Sequence, residues 1–538
     1  LSEDEIAYQV EASNPSEKRR MIIWSAILFL ILIIIMSGFS LYLLSDKEIY
    51  LPYRLTSTME LIKFLYPESY NPSKMMELAR DALFGQLDRY SGYLEPKELG
   101  RVTEEFSGSY GGIGITIVSQ DQGLMVMSVR EDGPAARAGM KSGDIIYKVD
   151  STNVKGVNAY RATFLLRGSE GSPVELGVLR KFNNIADTLQ FELTRQRLPL
   201  IHVPYAGITP GGSLYIRLLD FEAGSAMEVF AALDSLYLRN PDSIRGIIFD
   251  LRGNPGGLLT EAVSIAGLFM KKGKIVVGMK GRSRWNNTVF RAQGDDIADG
   301  LPIALLVDKG SASSSEILAG SLRYAGRAFL VGDTTFGKGL VQEFDDLGDG
   351  SGLRITTARY YFEGNIFLND PKAAVKDSAP GIPPDYYYQA TEYEPFPLEL
   401  ESSLLMREYA IENQDRIAAD SGVISTNPGW LDDFRNYMYQ HGFDYESQLS
   451  REIGAAVIEA HLDSAKEETI AAANRLYNVS RREDSSQFTG YKEYIRQRLF
   501  QVALETKFGV AESYRRAIVP YRWDIALAEQ IFKESKKN

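Results

Sequence analysis

A multidomain α/β protein is predicted by three features of the 538-residue chain. Residues 196–390 alternate β-branched strand patterns with amphipathic helix patterns, which argues for a layered, largely parallel sheet. Residues 106–195 carry short strands punctuated by glycine turns. From 391 to 538 the sequence becomes charged, alanine-rich and helical in period. Hydrophobic residues make up 44% of the chain, enough to bury several cores.

Composition narrows the chemistry. A formal net charge of −12 argues against an extended nucleic-acid surface, which needs clustered Lys and Arg. With no cysteine, disulfides and thiolate chemistry are excluded. His202, His441 and His461 lie far apart without ligand-like spacing. No metal site is expected, and a Ser-His-Asp triad would have to recruit His202.

Residues 21–44, MIIWSAILFLILIIIMSGFSLYLL, contain no charge. As a helix they would run roughly 36 Å, enough for a hydrocarbon layer about 30 Å thick. Lys18, Arg19 and Arg20 precede the run. By the positive-inside rule, 1–20 is a cytoplasmic tail and 21–44 a single transmembrane helix in the lipid bilayer of a cell inner membrane. The bulk of the chain then lies in the periplasm. No small-x-small cleavage site ends the run, so an anchor fits better than a signal peptide.

Residues 45–105 form an N-terminal helical segment. Asn71-Pro72-Ser73 starts a helix with Met75, Leu78, Ala79, Ala82 and Leu83 on one face, ending near LDRYSGYLEP at 87–96.

Between 106 and 195 three pieces stand out: YGGIGITI (110–117), DGPAARAGMKSGDIIYKVD (132–150) and LLRGSEGSPVELGVLR (165–180). Pro134 opens a short helix, Gly139 closes it, and Gly143-Asp144 turns the chain into a strand at Ile145–Val149. These pieces resemble a PDZ domain of the permuted bacterial type. The resemblance implies a carboxylate-binding loop at Gly112, Ile113, Gly114 and Ile115, with the peptide adding as a strand at the sheet edge.

In 196–390 the strands are SLYIRLL (213–219), IRGIIFDL (244–251), KIVVGM (274–279), Pro302–Val307, Ala328–Val331, Leu340–Phe344 and Leu353–Phe362. Helices fall near Ser225–Leu238, at Leu258–Met270 and from the serine-rich turn to about Tyr324. Ile317, Leu318 and Leu322 share a face of the last. In the helical extension, Ile453, Val457, Ile458 and Leu462 line one face, as do Tyr491, Ile495, Leu499 and Val502. Packing, dimerisation and partner docking are all compatible with it.

Ser313 opens Ser313-Ser314-Ser315-Glu316, a capping-box pattern, so a plain helix cap explains it. It also sits where a strand enters a helix, with the helix N-terminus near any developing negative charge. Lys338 lies between Gly337 and Gly339 among Phe336, Leu340 and Val341. Apolar burial would lower its pKa from about 10.4 toward the working range of a general base. Gln342, four residues on, is placed to position the lysine. The loop RGNPGG (252–257) precedes a helix, so Gly256 or Gly257 suits one arm of an oxyanion hole and the Ser314 N–H the other. GDTTFGKG (332–339) imitates a P-loop, but Gly339 replaces its Ser or Thr and LVQEF reads as strand, not helix.

FDLRGNPGG, SASSSEILAG and GDTTFGKGLVQ occur in order behind the PDZ-like segment and LDRYSGYLEP. Together they resemble the C-terminal processing (tail-specific) protease family of Ser-Lys peptidases, over about residues 75–390. The resemblance implies a crotonase-like layered core, nucleophile Ser313, base Lys338, supporting residue Gln342, and oxyanion donors at Gly256 or Gly257 and at Ser314. The family commonly has alanine where this chain has Ser314. Arg167, in LLRG, matches an arginine through which the PDZ domain of relatives contacts the catalytic region.

The expected organisation is therefore a tail (1–20), a membrane helix (21–44), a helical segment (45–105), a PDZ domain (106–195), a Ser-Lys protease core (196–390) and a helical extension (391–538). The expected function is a membrane-anchored serine endopeptidase that captures free or exposed C-terminal tails of extracytoplasmic proteins and cleaves them. No cofactor is expected, and a homo-oligomer or an adaptor protein stays open as a partner. The competing reading is a PDZ scaffold with a latent protease body.

Overall fold

The structure is a computed structural model that describes every residue except 1–14, 46, 107–108, 183–184, 240, 369–380, 389–393, 421–428, 463–465 and 536–538. The chain divides into two compact units, Leu1–Ala82 and Leu83–Asn538.

In the first unit, Pro15–Ser45 is one helix of 31 residues and Lys47–Leu65 a second. A third helix starts at Pro72, as expected, with Asn71 Oδ1 accepting the Lys74 N–H at 3.1 Å. Its Leu78 and Leu83 are exposed, so that face forms no core. Among the described residues no helix is long and apolar enough to cross a membrane, and the expected transmembrane helix is not borne out there. The described side chains of the apolar run extend only from 23 to 38. Those of 21–22 and 39–44 lie outside the described residues.

The second unit begins with the PDZ-type sheet. Its strand order is Ile115–Gln120, Gly123–Val129, Ile145–Val149, Pro173–Phe182, Ile185–Thr194. Pro134 does open a short helix, and Gly139 and Gly143 take the left-handed φ of 85° and 89° that the turns require. Leu124, Val126, Ile146, Val149, Leu176 and Val178 fill the core beneath the helix Ala159–Leu166. The strand Ile115–Gln120 is an edge, paired only to Gly123–Val129 within this sheet.

Two further sheets build the body. The first runs Tyr205–Ile208, Leu214–Arg217, Ile247–Asp250, Ile303–Val307, Ala328–Gly332, Tyr386–Tyr387. Every pair beyond the first is parallel. Alternate residues serve opposite faces. Leu214, Ile216, Ile247, Phe249, Ile303 and Leu305 face the helices Ser225–Leu233, Leu259–Gly267 and Ser314–Tyr324. Tyr215, Ile248, Ala304, Leu306 and Val331 face the other way, onto Ile525, Ala528 and Phe532 of the chain's last helix, Trp523–Ser535. Burial on both sides explains the unbroken apolar strands.

The other sheet is antiparallel, with Gly352–Phe362 at its centre pairing Gly92–Leu94, Ile275–Gly281, Leu340–Asp346 and Ile366–Phe367. KIVVGM thus joins a different sheet from the one its alternation with helices suggested, because the parallel order closes through Ile303–Val307 instead. In the helical extension, Ile495, Leu499 and Val502 are buried as expected. Ile458 is 62% exposed, so the face at 453–462 reduces to half-buried Ile453 and Val457, and the Leu462 side chain lies outside the described residues.

Candidate active site

After the strand Ile303–Val307 the chain turns through four serines into the helix Ser314–Tyr324. Three hydroxyls are spent on carbonyls of the neighbouring loop: Ser311 on Leu251 at 2.8 Å, Ser314 on Gly257 at 2.8 Å and Ser315 on Asn254 at 2.9 Å. All three are buried. Ser313 is half-buried, and among the described residues its hydroxyl is donated to no group. The geometry thus separates Ser313 from Ser314. Ser313 also holds φ 54° and ψ −113°, a strained conformation for a residue with a Cβ, costing about 1–3 kcal/mol.

Glu316 organises what surrounds it. Fully buried, it accepts the Ser313 N–H at 2.9 Å and the Lys338 N–H at 2.8 Å, both on Oε2. Its Oε1 accepts the Gly337 N–H at 2.7 Å and the Thr335 hydroxyl at 2.6 Å. Two nitrogens hung on one oxygen lie no farther apart than the two bonds laid end to end, so the serine turn and the lysine turn meet here. Burial nevertheless raises the Glu316 pKa, against the pull of its four donors.

Lys338 is half-buried, and burial lowers its pKa, helped by the charge of Arg354 and opposed by Glu316. Its Nζ stands 5.3 Å from the ring centroid of Tyr90. Among the described residues no hydrogen bond joins that nitrogen to Ser313 Oγ or to Gln342. Gln342 lies on the strand Leu340–Asp346, opposite Thr356, with its Nε2 buried and without a hydrogen-bond partner among the described residues. The structure thus joins Ser313 and Lys338 at the backbone and leaves Gln342 unengaged.

Tyr90 belongs to LDRYSGYLEP, a motif that is part of the family resemblance but in which the sequence marks no site residue. Asp88 accepts from the Tyr90 and Ser91 N–H groups and from Thr356 Oγ1, and Arg354 Nε donates to the Tyr90 carbonyl. These bonds seat the motif on the central antiparallel strand, beside the lysine. Only a signal linking Asp88 to Thr356 could have found this, and they are far apart in the chain.

Gly256 and Gly257 differ in what they offer. Gly256 has φ 102°, and a Cβ there would stand 2.8 Å from both Ser313 Cβ and Ser314 N, so only glycine lets the loop touch the serine turn. Its N–H, however, is donated to Asn254 Oδ1 at 2.9 Å, which removes Gly256 as an oxyanion donor. Gly257 has φ 149°, and a Cβ there would meet the Phe221 backbone at 2.6 Å. Its N–H and that of Ser314, the first residue of its helix, are donated to no group among the described residues.

Of the expected carboxylate loop, Gly112 ends a strand, Ser109–Gly112, paired to Gln196–Pro199, Ile113-Gly114 forms the turn, and Ile115 begins the edge strand of the PDZ sheet. Arg167 lies 4.7 Å over the ring of Tyr110, within the same segment. His202 is buried and bonded through Nδ1 to Asp220 at 2.5 Å, away from the four-serine turn's hydrogen bonds. Among the described residues no group of His, Asp and Glu could hold a metal ion.

The model of peptidase family S41 matches residues 212–388, and that of the PDZ domain residues 111–192. The chain is 33% identical to a carboxy-terminal-processing protease of Bartonella bacilliformis over 57% of its own length and 70% of that protein. It is 32% identical to a chloroplastic C-terminal processing peptidase of Tetradesmus obliquus, over 52% of this chain and 63% of that one. Against the carboxy-terminal processing protease CtpA of Bacillus subtilis the identity is 30%, over 62% and 69%.

Proposed function

From the premise that the chain belongs to peptidase family S41, as a serine-type carboxy-terminal-processing protease with a PDZ domain, we propose that Ser313 is its nucleophile and Lys338 its general base. The observation that carries this is the single carboxylate oxygen of Glu316 holding both backbones. The mechanism requires the Lys338 side chain to turn its amine onto the Ser313 hydroxyl. Ser313 Oγ attacks the scissile carbonyl as its proton passes to neutral Lys338 Nζ. The Ser314 and Gly257 N–H groups receive the oxyanion. Collapse breaks the C–N bond, Lys338 returns the proton to the leaving amine, and water, activated the same way, hydrolyses the Ser313 ester. Gln342 supports the lysine once its side chain turns toward it.

Substrates are proteins with free or exposed C-terminal tails. The edge strand Ile115–Gln120, with the turn at Ile113-Gly114 before it, supports strand addition with the carboxylate held by the Gly112–Ile115 backbone. Residues 21–44 anchor the chain in an inner membrane, with the protease in the periplasm. Support comes from the uncharged run and from the exposure of Trp24, Leu28, Phe29 and Ile34 on the helix Pro15–Ser45. Alkaline carbonate extraction of membranes tests the anchor, which fails if the full chain is released.

The site is tested by cleavage of an unfolded-tail substrate. Ser313→Ala and Lys338→Ala each abolish it while the protein still binds a C-terminal peptide. Full activity in Lys338→Ala removes the mechanism.

A further inference from the structure

The loop RGNPGG, which carries Gly257, is bound on its far side to the end of the chain. Arg252 donates through Nε to Asp250 Oδ1 at 2.8 Å and through its other nitrogens to Asp250 Oδ2 and to Asp524 Oδ2. Asp250, at the end of its strand, also accepts the Tyr215 hydroxyl at 2.6 Å and Arg217 at 3.1 Å. Asp524 and Asp250 are each 1% exposed. Asp524 opens the helix Trp523–Ser535, its Oδ1 accepts the Ile525 N–H at 2.8 Å, and Arg522 lies at 3.2 Å. Charges so deeply buried are tolerated only when paired, and removing one partner is strongly destabilising to the other's placement.

The near side of the same loop holds the serine turn. Asn254 O accepts the Ala312 N–H at 3.0 Å and the Ser315 hydroxyl at 2.9 Å, and Gly257 O accepts the Ser314 hydroxyl. Gly253 N–H is held by Asp308 at 2.8 Å. A loop with one end on Asp524 and the other on Ser314 transmits displacement between them. The helix bearing Asp524 is itself fixed, since Ile525, Ala528 and Phe532 pack on the sheet and Phe532 fills the space a Cβ at Gly246 would need.

We propose that Asp524 is a positioning residue for the reaction: through Arg252 it sets the loop that aims the Gly257 N–H at the oxyanion, so the last helix of the chain is part of the catalytic apparatus. This rests on the assignment of Ser313 and Gly257 above. Asp524 touches no substrate. Its effect is on the transition state, where a misplacement of about 1 Å can cost on the order of 10²-fold, and not on peptide capture.

The experiment compares full-length wild type, Asp524→Asn and the charge-neutral double variant Arg252→Met/Asp524→Leu, with Ser313→Ala as control. A tail peptide serves as substrate, and the aldehyde of the same peptide mimics the tetrahedral adduct. In Asp524→Asn, kcat falls at least about tenfold, the aldehyde's affinity falls by a similar factor, and KM stays within about twofold. The double variant loses the same contact and the Arg252 bonds to Asp250 besides, so the clamp requires its kcat loss to be at least as large as the single variant's. Unchanged kcat in a folded Asp524→Asn, or in the folded double variant should the single one not fold, overturns the clamp while Ser313→Ala remains inactive. Turnover in Ser313→Ala overturns the site assignment itself and the clamp with it.

Discussion

Lys338 hangs its backbone N–H on Glu316 at 2.8 Å, on the same carboxylate oxygen that takes the N–H of Ser313. Chain segments from either side of the helix Ser314–Tyr324 are thereby brought to one point. Glu316 is the hub, and its four partners are all donors.

Replacing Glu316 by Gln turns one acceptor into a donor facing donors. A buried donor left without a partner costs about 1–3 kcal/mol, and the two turns lose register. Turnover falls by on the order of 10²-fold, while binding of a tail peptide to the PDZ segment, which has its own core, is unchanged. Steady-state kinetics beside peptide titration check this, and equal losses in both would contradict it.

Arg354 is one of the two causes that hold the Lys338 pKa down, after burial itself. Arg354→Gln removes the charge and keeps a donor for the Tyr90 carbonyl. The pKa of the base rises toward its ordinary value of about 10.4, so the acidic limb of the kcat/KM profile moves to higher pH. An unmoved limb would show that Lys338 is not the titrating base.

The same lowered pKa has a cost in stability. Below both values the lysine is charged in either state, and folding must bury that charge. The unfolded chain binds more protons between the folded and unfolded pKa, so stability rises with pH across that window. Lys338→Met, neutral at every pH, is therefore more stable than wild type at pH 7. The gap narrows as pH climbs toward the ordinary lysine range. Melting temperatures from pH 7 to 10 measure it, and a variant less stable than wild type at pH 7 contradicts it.

Ser314 spends its hydroxyl on Gly257 O. Ser314→Ala loses about 1 kcal/mol of stability and less than about tenfold of kcat, since the backbone N–H that faces the oxyanion is kept. Ser313→Ala loses all turnover. Inactivation by Ser314→Ala to the same extent would return the choice of nucleophile to Ser314.

Much of this site was legible in the chain. Ser313, Lys338 and the RGNPGG loop each sit in a short, chemically distinctive stretch, and strand-helix alternation placed them on a layered sheet. What was not legible depended on contacts between distant segments. Tyr90 reaches Lys338 because its segment is bound to a strand more than 260 residues on, through Asp88 to Thr356 and Arg354 to the Tyr90 carbonyl. Asp524 reaches Arg252 because the helix Trp523–Ser535 covers the second face of the parallel sheet, a pairing that strand-helix alternation does not reveal. Gly256 and Gly257 look equivalent as neighbours in sequence, and a single bond to Asn254 separates them. Ile458 failed on the helix face because an apolar residue at helical spacing need not be covered.

The most direct test is covalent labelling of the full chain with a fluorophosphonate, with the adduct mapped by mass spectrometry and its rate followed. The account predicts one adduct, on Ser313, formed at least about a hundredfold more slowly in Lys338→Met. An adduct on another residue, or an equal rate without the lysine, would contradict it.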